Sequence, residues 1–228
     1  MNATRGVSRE TRLPPPTAAA VFGASLATAI AFADMLATDG VSRGLLGPGE
    51  VDRLWERHLL NCVVLAPQIP PGSSVCDLGS GAGLPGLVLA IARPDLDVMA
   101  LEPLKRRAVF LAEAVAGLGL DNVTVVRARA EESRGSIQVD VVTARAVAPL
   151  ARLARWGLPL CRPGGMLLAM KGKSAASELG QAASTLTRLG AARWRILELG
   201  ADVVQPPATV VQIVAGDRVH VAVDGGPR

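Results

Sequence analysis

Hydrophobic and polar positions divide the chain into two unlike parts. From Ser73 onward, short apolar runs alternate with stretches of helical periodicity. Strands are predicted at 74–78, 97–101, 122–127, 139–143 and 165–170. Helices are predicted between them, at about 84–92 and 104–117, briefly at 131–134, and at 149–158. Alternating elements with strands apolar on both faces predict a parallel, doubly wound sheet. A helix near 174–189 and strands near 193–199 and 208–214 follow, with a Pro206-Pro207 break before the last. Two late strands joined by a short connection predict an antiparallel hairpin. The expected fold is therefore α/β and Rossmann-like, with seven mostly parallel strands and the last one antiparallel. Right-handed crossovers place any ligand outside the carboxyl ends of the strands.

The first part has a different pattern. Arg5, Arg9 and Arg12 precede an uncharged run from Leu13 to Ala33, an order shared with signal peptides and membrane spans. The run is rich in Ala and Thr, opens on Pro14 to Pro16, and repeats Phe22, Leu26, Ala29, Ala33 and Leu36 at helical spacing. That periodicity predicts an amphipathic helix packed on the domain rather than a span. A second helix is predicted over Glu50–Asn61, with Val51, Leu54, Trp55, Leu59 and Cys62 on its apolar face. Pro67, Pro70, Pro71 and Gly72 end this region. The expected divisions are a disordered tail (1–16), a helical extension (17–72), an α/β domain (73–218) and a C-terminal tail (219–228).

Composition narrows the chemistry. The 228 residues are half hydrophobic, enough for one large core, and the net charge is +4, compatible with an anionic partner. Cys62, Cys76 and Cys161 lie far apart in apolar contexts, and His58 and His220 are the sole histidines. Neither a zinc site nor a disulfide framework fits that spacing, so no metal is expected and a reducing cytoplasm is.

The stretch Val75-Cys-Asp77-Leu-Gly79-Ser-Gly81-Ala-Gly83-Leu84-Pro-Gly86 reads as a strand end, a tight loop and a helix start. Alternating glycines let the backbone approach a ligand closely, and the helix start turns free N–H groups toward it. Gly81-x-Gly83-x-x-Gly86 satisfies a dinucleotide pattern, and Asp77-x-Gly79-x-Gly81-x-Gly83 satisfies that of S-adenosylmethionine (AdoMet) methyltransferases. Asp77 favours the second, because a carboxylate there repels a pyrophosphate and attracts a sulfonium. A terminal antiparallel hairpin favours it too. Glu102, ending the second strand, suits the ribose hydroxyls; Ala130 and Glu131, after the third, suit the adenine edge.

The fourth strand runs into Thr143-Ala-Arg145-Ala-Val-Ala-Pro-Leu150. It has no Asn/Asp-Pro-Pro-aromatic motif for an exocyclic amine and no cysteine nucleophile, and the chain has no tyrosine. A nucleophile with a free lone pair, such as guanine N7, requires in-line placement and no general base. Arg145 suits guanine's acceptors, though it cannot bond N7 while N7 attacks; it equally suits the AdoMet carboxylate. No side chain is assigned a catalytic role.

Together, Trp55-x-Arg57-His58-Leu59, Asp77 to Gly86, Lys105-Arg-x-x-Phe-Leu111, Arg129-Ala-Glu-Glu132, Thr143-Ala-Arg145-Ala146 and Met170-Lys-Gly172 resemble a known family. It is the bacterial 16S ribosomal RNA guanine-N7 methyltransferase G family, also called glucose-inhibited division protein B, and the chain resembles especially its high-GC Gram-positive members. The family is one of class I AdoMet-dependent methyltransferases. The resemblance implies methylation of guanine N7 in the 530 loop of 16S rRNA and a link to streptomycin susceptibility. It implies cofactor contacts at Gly79, Leu84, Ala130, Glu131 and Arg145. Ala144 stands where the family usually has serine, which puts one peripheral hydroxyl contact in doubt.

The RNA side rests on basic residues near the strand ends: Arg53, Arg57 and His58 on the extension, Lys105 and Arg106, Arg127 and Arg129, and Lys171 and Lys173. Phosphate contacts of this kind give salt-dependent binding with little sequence information. The expected partner is 16S rRNA in the small ribosomal subunit or an assembly intermediate, engaged by a monomer without a membrane. Methylation of another RNA or of a small molecule, AdoMet binding without turnover in a ribosome-associated module, and a dinucleotide oxidoreductase are the alternatives.

Overall fold

A computed structural model describes residues 13–217. The tails expected over 1–16 and 219–228 therefore lie largely or wholly outside the described residues; the first helix begins at Pro16.

Seven strands form one sheet: β1 Ser74–Leu78, β2 Asp97–Leu101, β3 Val123–Val126, β4 Val139–Arg145, β5 Cys161–Lys171, β6 Ala191–Leu199 and β7 Ala208–Ala215. Their order is β3-β2-β1-β4-β5-β7-β6. The first five run parallel, while β7 pairs antiparallel with both β5 and β6. The order reverses at β1 and β4, where Asp77 pairs with Thr143. That switch point is where an open α/β sheet leaves a crevice for a ligand.

Four helices follow strands: α4 Gly86–Ala92, α5 Lys105–Leu118, α6 Leu150–Gly157 and α7 Ala175–Arg188. Before them, the extension contains α1 Pro16–Phe22, α2 Leu26–Met35 and α3 (residues 54–63). Two apolar clusters sandwich the sheet. Phe32, Leu36, Trp55 and Leu59 of the extension join α4 and α5 on one side. Leu150, Leu153, Ala182 and Leu186 of α6 and α7 cover the other. Phe22 meets Trp55 edge-on, with ring centroids 6.3 Å apart. Residues Pro16–Gly40 are long and apolar enough to cross a membrane by composition. Yet Ala29, Phe32, Ala33 and Leu36 lie buried at helical spacing against the domain, as the periodicity predicts.

Three local readings differ from the structure. Residues 131–134 form a turn closed by an Arg134–Ile137 bridge rather than a helix. The helix expected over Glu50–Asn61 is not uniform: a tight 3₁₀ segment, Pro48–Arg53, gives way to a wide i→i+5 turn over Leu54–Leu60. Strand β5 begins at Cys161 rather than 165, with an irregular register opposite Val139 and Val141. A register irregularity accommodates Pro163, which has no N–H for the ladder.

Candidate active site

The crevice over β1, β2 and β4 is a cavity of about 790 Å³, within the size range of small-ligand sites. Its floor is the loop after β1. Gly79, Gly81 and Gly83 have φ values of 70°, 57° and 89°, a left-handed region that favours glycine. A Cβ on Gly86 would stand 2.7 Å from Asp77 Oδ2, so α4 approaches the strand as only glycine allows.

Asp77 lies beneath this floor, not on the cavity wall. It is completely buried, accepting hydrogen bonds from Gly86 N at 3.0 Å and from Thr143 Oγ1 at 3.1 Å. Burial raises its pKa to about 6, with the bonds from Gly86, Ser80 and Thr143 and the charge of Arg145 opposing. The attraction of its charge for a sulfonium therefore gives way to a structural role, tying the start of α4 and the end of β4 to β1. Gly83 likewise faces inward, against Leu87 and Phe32.

Glu102 lines the cavity, as does Glu132. Glu102 is 1% exposed, and its oxygens accept from Gly81 N at 3.0 Å and Leu104 N at 2.9 Å. Arg107 Nη1 stands 4.0 Å away. A carboxylate oxygen has lone pairs for more than one donor, so Glu102 holds the loop and can still accept from ligand hydroxyls. Beside it, Ala130, Glu131 and Arg129 line a narrow slot of about 180 Å³ with Leu101, Pro103, Val147 and Trp156. The apolar slot with polar edges suits a flat heterocycle.

Arg145 closes the other end. It ends β4, and the next residue, Ala146, has φ of 54°, strained for a residue with a side chain. Its guanidinium reaches across to the extension. It bonds His58 Nδ1, donates to the Arg57 carbonyl at 3.4 Å and lies 3.3 Å from Cys62 Sγ. Burial pushes the Cys62 thiol up to about 11, so it is no thiolate nucleophile.

The structure thus brings Gly79, Gly81, Leu84, Glu102, Arg129, Arg145 and His58 to one cavity. Arg57 and Lys171 face a second cavity of about 780 Å³ on the same rim, with Arg53 and Lys173. Lys171 is not free there: its ammonium donates to Glu178 Oε2 at 2.7 Å and to Ala148 O at 2.8 Å. Lys105 opens α5, is exposed and lines neither cavity. Sequence reasoning missed Leu45 to Gly47, Arg107, Val147 and Trp156. Trp156 carried one signal, its helical spacing from Arg152, whose guanidinium lies 6.0 Å from the indole centroid. Among the described residues, no three His, Cys, Asp or Glu side chains cluster as a metal site requires.

Residues 25–204 match the model of a family described as rRNA small subunit methyltransferase G. The chain is 57% identical over 204 residues to the ribosomal RNA small subunit methyltransferase G of Streptomyces avermitilis, covering 89% of this chain and 86% of the relative. It is 50% identical over 202 residues to that of Corynebacterium efficiens, covering 87% of each. Among solved structures, an AdoMet-dependent O-methyltransferase of Thermotoga maritima aligns with a TM-score of 0.53 at 17% identity, over 71% of this chain and 66% of that one. A precorrin-6y C5,15-methyltransferase of Geobacter metallireducens gives 0.52 at 15%, over 75% and 91%. At such identities these two establish the fold, that of class I AdoMet-dependent methyltransferases.

Proposed function

Because this chain belongs to the rRNA small subunit methyltransferase G family, we propose that it methylates N7 of a guanine in the 530 loop of 16S rRNA, in the cytoplasm. AdoMet supplies an electrophilic methyl group on sulfur. Glu102 accepts from the donor's ribose hydroxyls. The slot of Ala130, Glu131 and Trp156 takes its adenine, and the glycine loop takes the rest. What remains for the protein is placement, since guanine N7 already carries its lone pair and no base is required.

The observation that carries this reading is the end of β4. There the guanidinium of Arg145 stands at the cavity wall beside a neutral thiol. Residues 143–150 carry no carboxylate to take a proton. Arg145 contacts the donor's carboxylate or the guanine's other acceptors. Basic residues on the rim, Arg53, Arg127 and Lys173, are available to phosphates, and Arg57 and Arg129 stand there in exposed ion pairs with Glu50 and Glu132.

Methyl-labelled AdoMet offered with 16S rRNA and with small subunits tests the proposal. Label is expected in 7-methylguanosine within the 530 loop, and Arg145→Ala is expected to lower turnover at least about 100-fold, as for loss of a preorganised charged donor. Label in another nucleoside contradicts the guanine N7 assignment. Wild-type turnover by the variant removes Arg145 from the site.

A further inference from the structure

Arg145 belongs to the sheet, but the groups that hold its guanidinium belong to the extension. Within the wide turn of α3, the carbonyl of Arg57 and the ring of His58 accept from the same guanidinium. His58 Nε2 lies 2.9 Å from Glu50 Oε2, and the other oxygen of Glu50 is 3.3 Å from Arg57 Nη1. His58 is 5% exposed, while the Glu50 side chain is 30% exposed, so the ring is buried between a half-buried carboxylate and the guanidinium.

The chemistry of the partners fixes the state of the ring. A guanidinium only donates, so Nδ1 must hold a lone pair. The ring proton then sits on Nε2, directed at the Glu50 carboxylate. A second proton would set an N–H against the N–H of Arg145 and a positive charge against a positive charge. Burial, followed by the charge of Arg145, lowers the His58 pKa below 6.5, with Glu50 opposing. The titratable and charged groups facing this arrangement are Glu50 before α3, Arg57 and Cys62 within it, and Arg145 from β4, with Asp77 below Arg145.

We propose that Glu50 and His58 form a positioning relay: a neutral His58, protonated on Nε2, fixes the Arg145 side chain for methyl transfer, and protonation of the ring releases it. The extension is then part of the transfer machinery as well as a cover for the sheet. This rests on Arg145 acting at the methyl-transfer site. The expected consequence is a loss of kcat/KM as the pH falls through the lowered His58 pKa.

The test uses the full chain carrying His220→Gln, which leaves one imidazole for ¹⁵N NMR. At pH 7 the His58 signals are expected to show a neutral ring with the proton on Nε2. His58→Leu is expected to lower kcat/KM at least tenfold. His58→Asn places an amide oxygen near the Nδ1 position, and is expected to restore most of that loss while removing the histidine part of the acid limb. Asp77 titrates in the same range but is present in both proteins, so the difference between their pH profiles isolates His58. An Nδ1-protonated or charged ring at pH 7 overturns the relay. So does a His58→Leu enzyme with wild-type kcat and KM, or identical acid limbs in wild type and His58→Asn. If His58→Leu fails to fold, the NMR signals and the His58→Asn profile still decide. A wild-type chain with no turnover on rRNA contradicts the proposed activity instead, and leaves the tautomer measurement standing.

Discussion

Asp77 commits both carboxyl oxygens to the protein, to Gly86 N and Thr143 Oγ1, beneath the loop they shape. Its raised pKa has a consequence for stability. The ordinary value is 3.8 and the folded value about 6, so between these the folded chain binds more proton than the unfolded chain. Its contribution to stability is therefore largest below about pH 4 and falls as pH rises through about 6. The asparagine variant does not titrate. In calorimetry, the Tm of wild type minus that of Asp77→Asn should decrease by several degrees from about pH 4 to about pH 7. A constant difference contradicts the burial of a titrating carboxyl at this position. The sequence places a carboxylate at the right strand end, and Glu102 occupies the cavity as its position suggests. What spacing cannot tell is which face of a strand stays covered when both faces are buried. Asp77 and Glu102 look alike in the sequence, but one is floor support and the other wall.

The elements of the α/β domain are legible because buried strands and amphipathic helices have different periods. Strands β1 and β2 and helices α4 to α7 lie within two residues of their expected limits. The misses have physical reasons. The turn at 131–134 has too few residues for a period to show, and the i→i+5 winding over Leu54–Leu60 is too short for its apolar spacing to differ from that of an ordinary helix. Periodicity places the extension against the domain, and the structure gives that packing a purpose. Phe32 of α2 is fully buried, and its ring tip lies within 3.2 Å of where a Cβ on Gly83 would stand. Truncating it leaves a cavity under the donor loop. Phe32→Ala should cost about 3–5 kcal/mol in urea unfolding and weaken AdoMet binding in calorimetric titration. Full stability with unchanged affinity would show that the extension does not brace the loop.

Across the whole molecule, the sheet presents two cavities on one rim, divided by the end of β4. The first is the one proposed to take the methyl donor, and the second carries Arg53, Arg57 and Lys173. A net charge of +4 conveys this distribution only in outline. Spacing along the chain does not reveal which cations are already paired, as Lys171 is with Glu178. Exposed Arg53 and Lys173 are the better sites for a phosphate. Charge reversal at both should weaken rRNA binding, and the slope of log affinity against log salt should become shallower by about 1 for each phosphate no longer engaged. AdoMet affinity should not change. Equal affinity and slope would remove the second cavity from the RNA path. Nucleoside analysis of 16S rRNA from cells with and without this gene decides the guanine N7 assignment. A 7-methylguanosine in the 530 loop should disappear with the gene and return with wild type but not with Arg145→Ala. The same 7-methylguanosine present in both strains would contradict the assignment.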